Sequence, residues 1–327
     1  MLTRAEERSH LLLHVLADGH FHSGETLAEA MGVTRAAVWK RVRALEKLGL
    51  SVFRVPGRGY RLAAPLQLLD PGLISESLSP GCRARLQGLT VLDTVGSTNS
   101  WLAEHPGEPA ACLAEFQSAG RGRHGRTWVS PFGANLYLSL AWRFDEWPPG
   151  FTALGMVAAI AAVRALKSLG VGDVGIKWPN DLMAAGKKLA GVLVDIQGEP
   201  PRATRAVIGV GLNVRMPAAA GEGIDQPWMD LTTLSDEAPP ERNRLAAALI
   251  ECLCQALDEF TAAGFAAFSA DWRALDLVAG RAVALHSHEQ TVTGVAAGVD
   301  EQGALLLRTA QGVKRFVSGD VSLRVAS

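Results

Sequence analysis

Hydrophobic side chains recur at helical spacing through the first fifty residues of the chain. The spacing predicts a helix from about Leu11, a second from Gly24 to Met31 and a third that ends near Leu48. Thr34 precedes the third helix, where its hydroxyl can accept a hydrogen bond from a first-turn N–H group. Two helices joined by a short turn, the second of them basic, are typical of a helix-turn-helix.

The segment after these helices predicts a hairpin. Residues 51–55 and 60–62 are strand-like, and the turn between them carries Arg58 at its tip. Such a hairpin is a wing that can reach DNA phosphates or the minor groove. The candidate DNA contacts are polar and basic residues of the two helices and the wing: Ser23, Thr34, Arg35, Trp39, Lys40, Arg43 and Arg58. A helical domain for protein interaction fits the same hydrophobic spacing and remains the alternative.

Beyond a linker at 63–71 and a short helix near 72–78, predicted strands and helices alternate irregularly. Long helices are predicted at about Phe151–Leu169 and Glu241–Ala263. The predicted strands are Thr90–Thr94, Ala111–Phe116, Asn135–Trp142, Gly175–Trp178, Leu189–Ile196 and Ala206–Val214. Because several strands follow one another without a helix between them, the pattern predicts a mixed α+β sheet rather than a doubly wound one.

After Leu275 the pattern changes to short strands separated by glycine-containing turns. They are predicted at Ala282–His286, Thr291–Val299, Ala304–Arg308, Val313–Ser318 and Val321–Val325. Five short strands in about 50 residues predict a small β-barrel. The expected domains are therefore 1–65, 66–274 and 275–327.

Composition fits a folded protein, and the distribution of charge adds a local feature. Hydrophobic residues make up 48% and charged residues 20% of the chain, enough for a real core. The net charge of −1 argues against a protein coated with nucleic acid. Residues 1–65 nevertheless carry ten basic and six acidic side chains, a net charge of +4, which leaves −5 for the rest. This asymmetry favours a local nucleic-acid contact at the N-terminal end.

Cysteine spacing and hydropathy argue against several further classes of protein. The four cysteines lack the spacing of a zinc site or a disulfide framework. The most apolar stretch, Phe151 to Val163, is shorter than the ~20 residues of a membrane span, so we expect a buried helix and no membrane partner. The charged N-terminus lacks a signal-peptide core, and a cytoplasmic location is expected.

The segment from Gly120 to Trp128 concentrates glycine and arginine. Its glycines match a dinucleotide fingerprint only in spacing, because a strand rather than a helix is predicted after them. A flexible loop with Arg121, Arg123 and Arg126 can instead fold over a phosphate or carboxylate. Trp128 can stack on a purine. A solvated charged loop is the alternative.

A second group of polar residues closes a predicted strand. Lys177 is a suitable point charge for a carboxylate or phosphate, and the Trp-Pro that follows fixes the backbone. Asn180 and Asp181 can orient Lys177, hold Mg²⁺ or simply cap a turn. Lys187 and Lys188 begin the next strand, so a second basic group can face the same cleft.

Neutral hydrogen-bonding residues complete the candidate site. Ser97, Thr98 and Asn99 offer hydroxyl and amide groups, or cap a helix that starts near Ser100. Gln117 precedes the glycine–arginine loop. Asn213 ends a strand whose glycines permit a close approach, a weak signal by itself. Together these residues predict an amide-like ligand end beside an anionic nucleotide end.

In order along the chain, these motifs resemble those of the biotin–protein ligases. The matching segments are STN (97–99), EFQSAGRGRHGRTW (115–128), SPFGANLYLSL (130–140), KWPNDL (177–182), KKLAGVLVD (187–195) and VIGVGLN (207–213). The segments at 21–42 and 52–62 resemble the bifunctional bacterial type that is also the biotin operon repressor, and the similarity continues through 303–324. The resemblance implies a winged helix-turn-helix, a class II synthetase-like ligase domain and an SH3-like barrel.

The resemblance also implies roles for individual residues. The implied biotin contacts are Ser97, Thr98, Asn99, Gln117, Arg121, Gly122, Arg123 and Lys177. The implied ATP or adenylate contacts are Arg121, Arg123, Arg126, Trp128, Lys177, Asn180 and Asn213. Arg123 and Lys177 would be catalytic, and Mg²⁺ would arrive with ATP, with Asp181 as a candidate ligand. The segment Arg215 to Leu231 corresponds to the adenylate-covering loop but matches poorly, and His124 replaces an arginine.

The implied activity has two steps and a regulatory branch. Biotin and ATP give biotinyl-5′-AMP and pyrophosphate, and a lysine of the biotin carboxyl carrier protein of acetyl-CoA carboxylase then takes the biotinyl group. The adenylate-bound form is expected to dimerise and to bind operator DNA of biotin genes. A ligand-sensing transcription regulator without ligase activity and a lipoate–protein ligase are the alternatives.

Overall fold

The computed structural model of the chain describes residues 11–105, 107, 109–198, 203–235, 238–286, 291–317 and 322–325. The polar segment 1–10 and the predicted strand ends at Ser318 and Val321 lie outside these residues. Three β-sheets of two, seven and five strands organise the described residues.

The N-terminal region is a winged helix-turn-helix, as predicted. Helix α1 is described over residues 11–16, followed by α2 (Gly24–Met31) and α3 (Arg35–Lys47). Thr34 caps α3, since its Oγ1 accepts from the N–H of Ala37 at 3.3 Å. The wing pairs β1 (Val52–Val55) with β2 (Gly59–Leu62) in antiparallel register.

The N-terminal region, residues 11–62, is called the head below. Its hydrophobic core includes a side chain from the central region. Leu12, Leu27, Val38 and Leu45 are buried in one cluster, and Phe132, which follows the glycine–arginine loop, is buried in the same cluster. The head is therefore packed against the segment that leads out of that loop.

The central sheet is mixed, as the sequence predicts. Its strands are β3 (Gly88–Val95), β4 (Ala110–Gln117), β5 (Leu136–Phe144), β6 (Gly175–Lys177), β7 (Asp181–Ala184), β8 (Lys187–Gln197) and β9 (Thr204–Leu212), in the order β3-β4-β5-β9-β8-β7-β6. Only the β3–β4 pair among these strands is parallel. Sequence reasoning missed β7, because its first residue, Asp181, follows Asn180 in a pair that is typical of a turn.

Helices cover both faces of this sheet. They are α4 (Pro71–Ser77), α5 (Pro80–Arg85), α6 (Thr98–Glu104), α7 (Leu154–Ser168), α8 (Ala218–Gly221), α9 (Leu231–Leu234), α10 (Arg242–Ala263) and α11 (Ser269–Leu275). Strand β4 shows the two faces: Ala111 and Leu113 pack into the main core with α7 and α10, whereas Cys112 packs on the other side with Leu102 of α6.

Helix α7 confirms the prediction of a buried apolar helix. With the turn before it, residues 151–168 are long and apolar enough to span a membrane by composition. In the fold 72% of this stretch is buried, and its residues are part of the main core. Its hydropathy therefore follows from its place between the sheet and the neighbouring helices.

The C-terminal region is an antiparallel sheet docked on the central region. Its strands are β10 (Ala282–His286), β11 (Thr291–Val299), β12 (Leu305–Thr309), β13 (Gly312–Phe316) and β14 (Ser322–Val325), in the order β13-β12-β11-β10-β14. The turn between β11 and β12 reaches α7, because Gly303 lies against Ala153 and Met156. The carbonyl of Gly303 accepts from the indole N–H of Trp178 at 3.3 Å.

A buried ion pair fixes the segment that connects head and sheet. Arg242 at the start of α10 is 5% exposed, and its Nη1 lies 2.8 Å from Oε2 of Glu115, which is 1% exposed. Arg242 also donates to the carbonyls of Gln67 and Asn135, and Glu115 accepts from the N–H of Leu69. The segment predicted as a linker is thus held by side chains of the central region.

Removing one partner of this pair leaves the other charge buried. We expect Arg242→Ala to lower the free energy of unfolding by about 3–5 kcal/mol, measured by urea denaturation. Arg244→Ala, two residues on and exposed, is the matched control and should change it by less than ~0.5 kcal/mol. Equal effects of the two substitutions would show that the buried pair does not hold the linker.

Candidate active site

A cleft of about 720 Å³ opens over β8 and β9. It brings together all the ligand-site residues that the sequence singles out: Ser97, Thr98, Asn99, Gln117, Arg121, Gly122, Arg123, Arg126, Trp128, Lys177, Asn180, Asp181 and Asn213. The loop at 120–128, the start of α6, the β6–β7 turn and the segment at 223–228 form its walls.

Two glycines of β9 leave part of the sheet under the cleft, here called the floor, without side chains. Gly209 and Gly211 lie on one face of β9, two residues apart. A Cβ at Gly209 would lie 2.3 Å from Oδ1 of Asn99, and one at Gly211 would lie 2.4 Å from the Trp128 ring. The sequence predicts a close approach of the ligand at these glycines, but the groups that approach them are the side chains of Asn99 and Trp128.

Buried neutral groups form one end of the cleft. Oε1 of Gln117 accepts from the N–H of Thr98 at 2.9 Å. Ser139, which is fully buried on β5, lies 2.7 Å from the Thr98 hydroxyl and donates to Asn99 at 2.5 Å. Ser97 occupies the N-cap position of α6 without a side-chain capping bond. This end is suited to the amide-like part of a ligand.

The glycine–arginine loop is a tight turn over the cleft. Gly122 donates its N–H to the carbonyl of Arg126 at 2.7 Å, and Trp128 donates to the carbonyl of Gly120 at 2.9 Å. Residues 120–135 are described throughout, and their one helical segment is a 3₁₀ turn, Arg123–Gly125. The dinucleotide reading therefore fails, as predicted, because no helix N-terminus is available for a pyrophosphate.

Cationic groups gather at the other end of the cleft. Asp181 lies between two lysines, with Nζ of Lys188 at 2.6 Å and Nζ of Lys177 at 3.6 Å. Nη1 of Arg123 reaches Oδ1 of Asn180 at 3.4 Å. Burial lowers the pKa of Arg123, with Asp181 opposing the shift, yet a guanidinium stays charged at neutral pH. Three cations around one carboxylate leave net positive charge for an anion.

The described residues offer no ready-made metal centre. They contain no group of three or more His, Cys, Asp or Glu side chains placed to hold an ion. The oxygens of Asp181 face Lys177 and Lys188 instead. The donor set at Asp181 therefore does not fit a resident Mg²⁺.

Two buried polar atoms beside the floor lack partners within the described residues. They are Nε1 of Trp128 and Oδ1 of Asn213. Asn213 is 3% exposed, and its amide nitrogen donates to the carbonyl of Met229 at 3.1 Å. Since unsatisfied buried polar atoms are costly, an unpaired donor and an unpaired acceptor lining a cleft indicate a ligand with complementary groups.

The segment 215–231 forms the wall next to these atoms. Lys188 donates its N–H to the carbonyl of Pro227, and Met229 donates to the carbonyl of Lys188, both at 2.9 Å. Trp228 covers Gly221 and donates its indole N–H to that residue's carbonyl at 3.3 Å. The segment therefore pairs with the start of β8 at Lys188 and forms one wall of the cleft.

Sequence reasoning missed three contributors. Ser139 belongs to a strand predicted only as core, Asp195 lies at the end of a hydrophobic run, and Trp228 lies in the poorly matching segment. Each acts through residues distant in sequence, so local patterns carry no signal for it. Lys188 was expected only as a second basic group, yet it is the lysine closer to Asp181.

The predicted DNA contacts all lie in the head. They precede the residues of the cleft along the chain. Arg35, Lys40 and Arg43 are exposed on α3. Trp39 is also exposed and packs under the guanidinium of Arg43, while Arg58 lies 4.3 Å from the Phe21 ring centroid. Ser23 and Thr34 cap α2 and α3. Helix face and wing tip therefore present basic groups to solvent.

Family models match all three regions. Residues 91–213 match the biotin/lipoate A/B protein ligase family, residues 8–61 match an HTH domain and residues 278–324 match the biotin protein ligase C-terminal domain. The chain is 42% identical over 318 residues to the bifunctional ligase/repressor BirA of Salmonella typhimurium, covering 96% of this chain and 97% of that protein. The chain belongs to the biotin–protein ligase family.

Further members of the family share its ligase region. The biotin–[acetyl-CoA-carboxylase] ligase of Mycobacterium tuberculosis is 35% identical over 77% of this chain and 96% of its own length. The Aquifex aeolicus biotin protein ligase, solved with biotin and ATP, has a TM-score of 0.63 and 27% identity, covering 74% of this chain and 99% of that one. This chain therefore shares the fold of the Aquifex aeolicus biotin protein ligase.

The glycine floor gives a test of the nucleotide end. A methyl group at Gly211 would overlap the Trp128 ring, so we expect Gly211→Ala to weaken ATP binding at least tenfold, measured by calorimetry. Gly172→Ala is the matched control, because that glycine is exposed and nothing lies within 4 Å of its Cβ position. Unchanged ATP affinity in Gly211→Ala would argue against Trp128 as a nucleotide contact.

Proposed function

We propose that this protein is an ATP-dependent biotin–protein ligase that also represses transcription by binding DNA. The assignment of ligase activity rests on the difference between the two ends of the cleft. Buried neutral hydrogen-bonding groups lie at one end and a cationic cluster lies at the other. A ligand with a neutral ureido ring and a carboxylate matches that polarity. The family relationship supports the same substrate.

In the first step the biotin carboxylate attacks the α-phosphate of ATP. An oxygen–phosphorus bond forms, the bond to the bridging oxygen of the β-phosphate breaks, and biotinyl-5′-AMP and pyrophosphate result. Negative charge grows on the phosphate oxygens as this happens, so fixed cations accelerate the step. Arg123 and Lys177 are the proposed catalytic groups, with Lys188 and Arg126 adding positive charge.

Binding of the two substrates follows the two ends of the cleft. Ser97, Thr98, Asn99 and Gln117 are the proposed contacts of the ureido ring, covered by Arg121 and Gly122 of the loop. Trp128 would stack on the adenine, and Asn180 and Asn213 would bind the nucleotide. Mg²⁺ would enter with ATP, since the lysines at Asp181 do not favour a metal held by the protein.

In the second step the unprotonated ε-amine of an acceptor lysine attacks the acyl carbon of the adenylate. A carbon–nitrogen bond forms, the carbon–oxygen bond to AMP breaks, and the amine releases its proton. The acceptor is proposed to be the biotin carboxyl carrier protein of acetyl-CoA carboxylase. The proposed location of the protein is the cytoplasm, as the sequence predicts.

The regulatory activity rests on the head. Its basic helix face and wing match the geometry of proteins that read the DNA major groove. A homodimer of the adenylate-bound form would place two recognition helices on two half-sites, which favours a palindromic operator.

Pyrophosphate exchange tests the ligase. With biotin present, labelled pyrophosphate should enter ATP, because the first step is reversible. Exchange that requires lipoate instead of biotin would indicate the lipoate ligase, and no exchange with either would indicate a ligand sensor.

Substitutions of basic side chains test the cationic end of the cleft. Lys188→Ala removes the charge that lies 2.6 Å from Asp181, and Arg123→Ala removes a loop guanidinium; each should slow adenylation about 100-fold or more. Lys187→Ala is the matched control, since that side chain is exposed, and should stay within twofold. A normal adenylation rate in Arg123→Ala would refute the proposed mechanism.

Footprinting on the DNA upstream of biotin genes tests the repressor. Protection should increase with biotin and ATP together, and Lys40→Ala should weaken it and reduce the dependence on salt by about one released ion. Lys167→Ala, an exposed lysine at the end of α7, serves as the control. If adenylate adds no protection, the repressor proposal fails while the ligase remains.

A further inference from the structure

We propose that Arg121 and Asp195 form a latch that positions the biotin-side loop, so that the guanidinium of Arg121 is a positioning group rather than an anion ligand. The inference rests on the proposed biotin site. Family resemblance assigns Arg121 to both biotin and the nucleotide, whereas the contacts of its side chain indicate another role.

Asp195 connects the loop to the floor of the cleft. Its Oδ2 lies 2.5 Å from Nη2 of Arg121 and 3.0 Å from Nδ2 of Asn99. Asp195 follows Gly191 and Leu193 on the same face of β8, so the strand aims its carboxylate at the floor. One oxygen therefore ties a loop residue to a buried residue of the cleft.

The same oxygen, with the carbonyl of Leu193 at 3.5 Å from the amide nitrogen, determines how the Asn99 carboxamide is oriented. A carboxylate only accepts hydrogen bonds, so it requires the NH₂ group of Asn99 on its side. Oδ1 of Asn99 is then directed to Ser139, whose hydroxyl also contacts Thr98. Removal of Asp195 would leave both the loop and this network without their common anchor.

Two arginines of the loop, Arg121 and Arg123, then have different functions. Arg121 is turned toward Asp195 at the neutral end, and its backbone pairs with Thr127 across the turn. Arg123 is turned toward Asn180 and the lysines at the cationic end. The Arg121–Asp195 pair sets one guanidinium against one carboxylate and so leaves no excess positive charge for a phosphate. Holding Arg121 in place also holds the turn that carries Arg123.

A double-mutant cycle separates a latch from an anion ligand. For a latch, Asp195→Ala and Arg121→Ala should each raise the Kd for biotin about tenfold. The Kd of the double variant should not exceed that of the single variant that binds biotin more weakly. Both single variants should also accelerate trypsin cleavage after Arg126 in the protein without ligand. For an anion ligand, Arg121→Ala would raise KM for ATP while Asp195→Ala would not.

Controls distinguish the latch from a general loss of stability. Asp145→Asn breaks an exposed ion pair with Arg143 and should change neither the biotin Kd nor the cleavage rate. Asp195→Glu keeps the charge and should recover part of the affinity, with a thermal midpoint close to that of the unaltered protein. Should the unaltered protein fail to bind biotin, the proposed function itself is wrong.

The latch is overturned by either of two results. One is that the unaltered protein binds biotin and that Asp195→Ala changes the Kd for biotin by less than twofold. The other is a double variant whose loss equals the product of the two single losses, because independent sites multiply their effects on Kd.

Discussion

Arg242 and Glu115 are buried together where the connecting segment, the central sheet and the long C-terminal helix of the ligase region meet. Two opposite charges in such a place are tolerated because each is surrounded by further hydrogen bonds: Arg242 to the carbonyls of Gln67 and Asn135, and Glu115 to the N–H of Leu69. The pair thereby fixes the path of the chain between the DNA-binding head and the catalytic region.

Asn135 extends this arrangement toward the cleft. Its carboxamide oxygen accepts from the N–H of Val214 at 2.9 Å, next to the segment 215–231 that covers the nucleotide end. Met216 in that segment donates to Asp230, which caps α9. The same buried polar groups therefore support the head's connection on one side and the wall of the active site on the other.

The cleft depends on absent side chains as much as on present ones. Because Gly209 and Gly211 leave the sheet bare, Asn99 and Trp128 can lie flat on it and define a neutral end and a nucleotide end. The cationic cluster needs Asp181 to hold Lys177 and Lys188 close to each other against their mutual repulsion. A single carboxylate among several cations orders them and still leaves the site attractive to phosphate.

Local patterns in the sequence determined the helix-turn-helix, the mixed sheet, the buried apolar helix and the composition of the cleft, since periodicity, capping and glycine–arginine spacing are properties of short segments. Elements such as β7 and α5 were missed, because each begins among turn-forming residues, at Asp181 and at Pro80. Only the tertiary structure decided that the side chains of Asn99 and Trp128, rather than the ligand itself, cover the glycines. It also decided that Lys188 lies closer to Asp181 than Lys177 does. Asp195 and Ser139 became part of the site only in the folded chain. The reason is physical: each of these contacts joins residues on different strands and loops, and their distances are set by sheet register and packing rather than by neighbours along the chain.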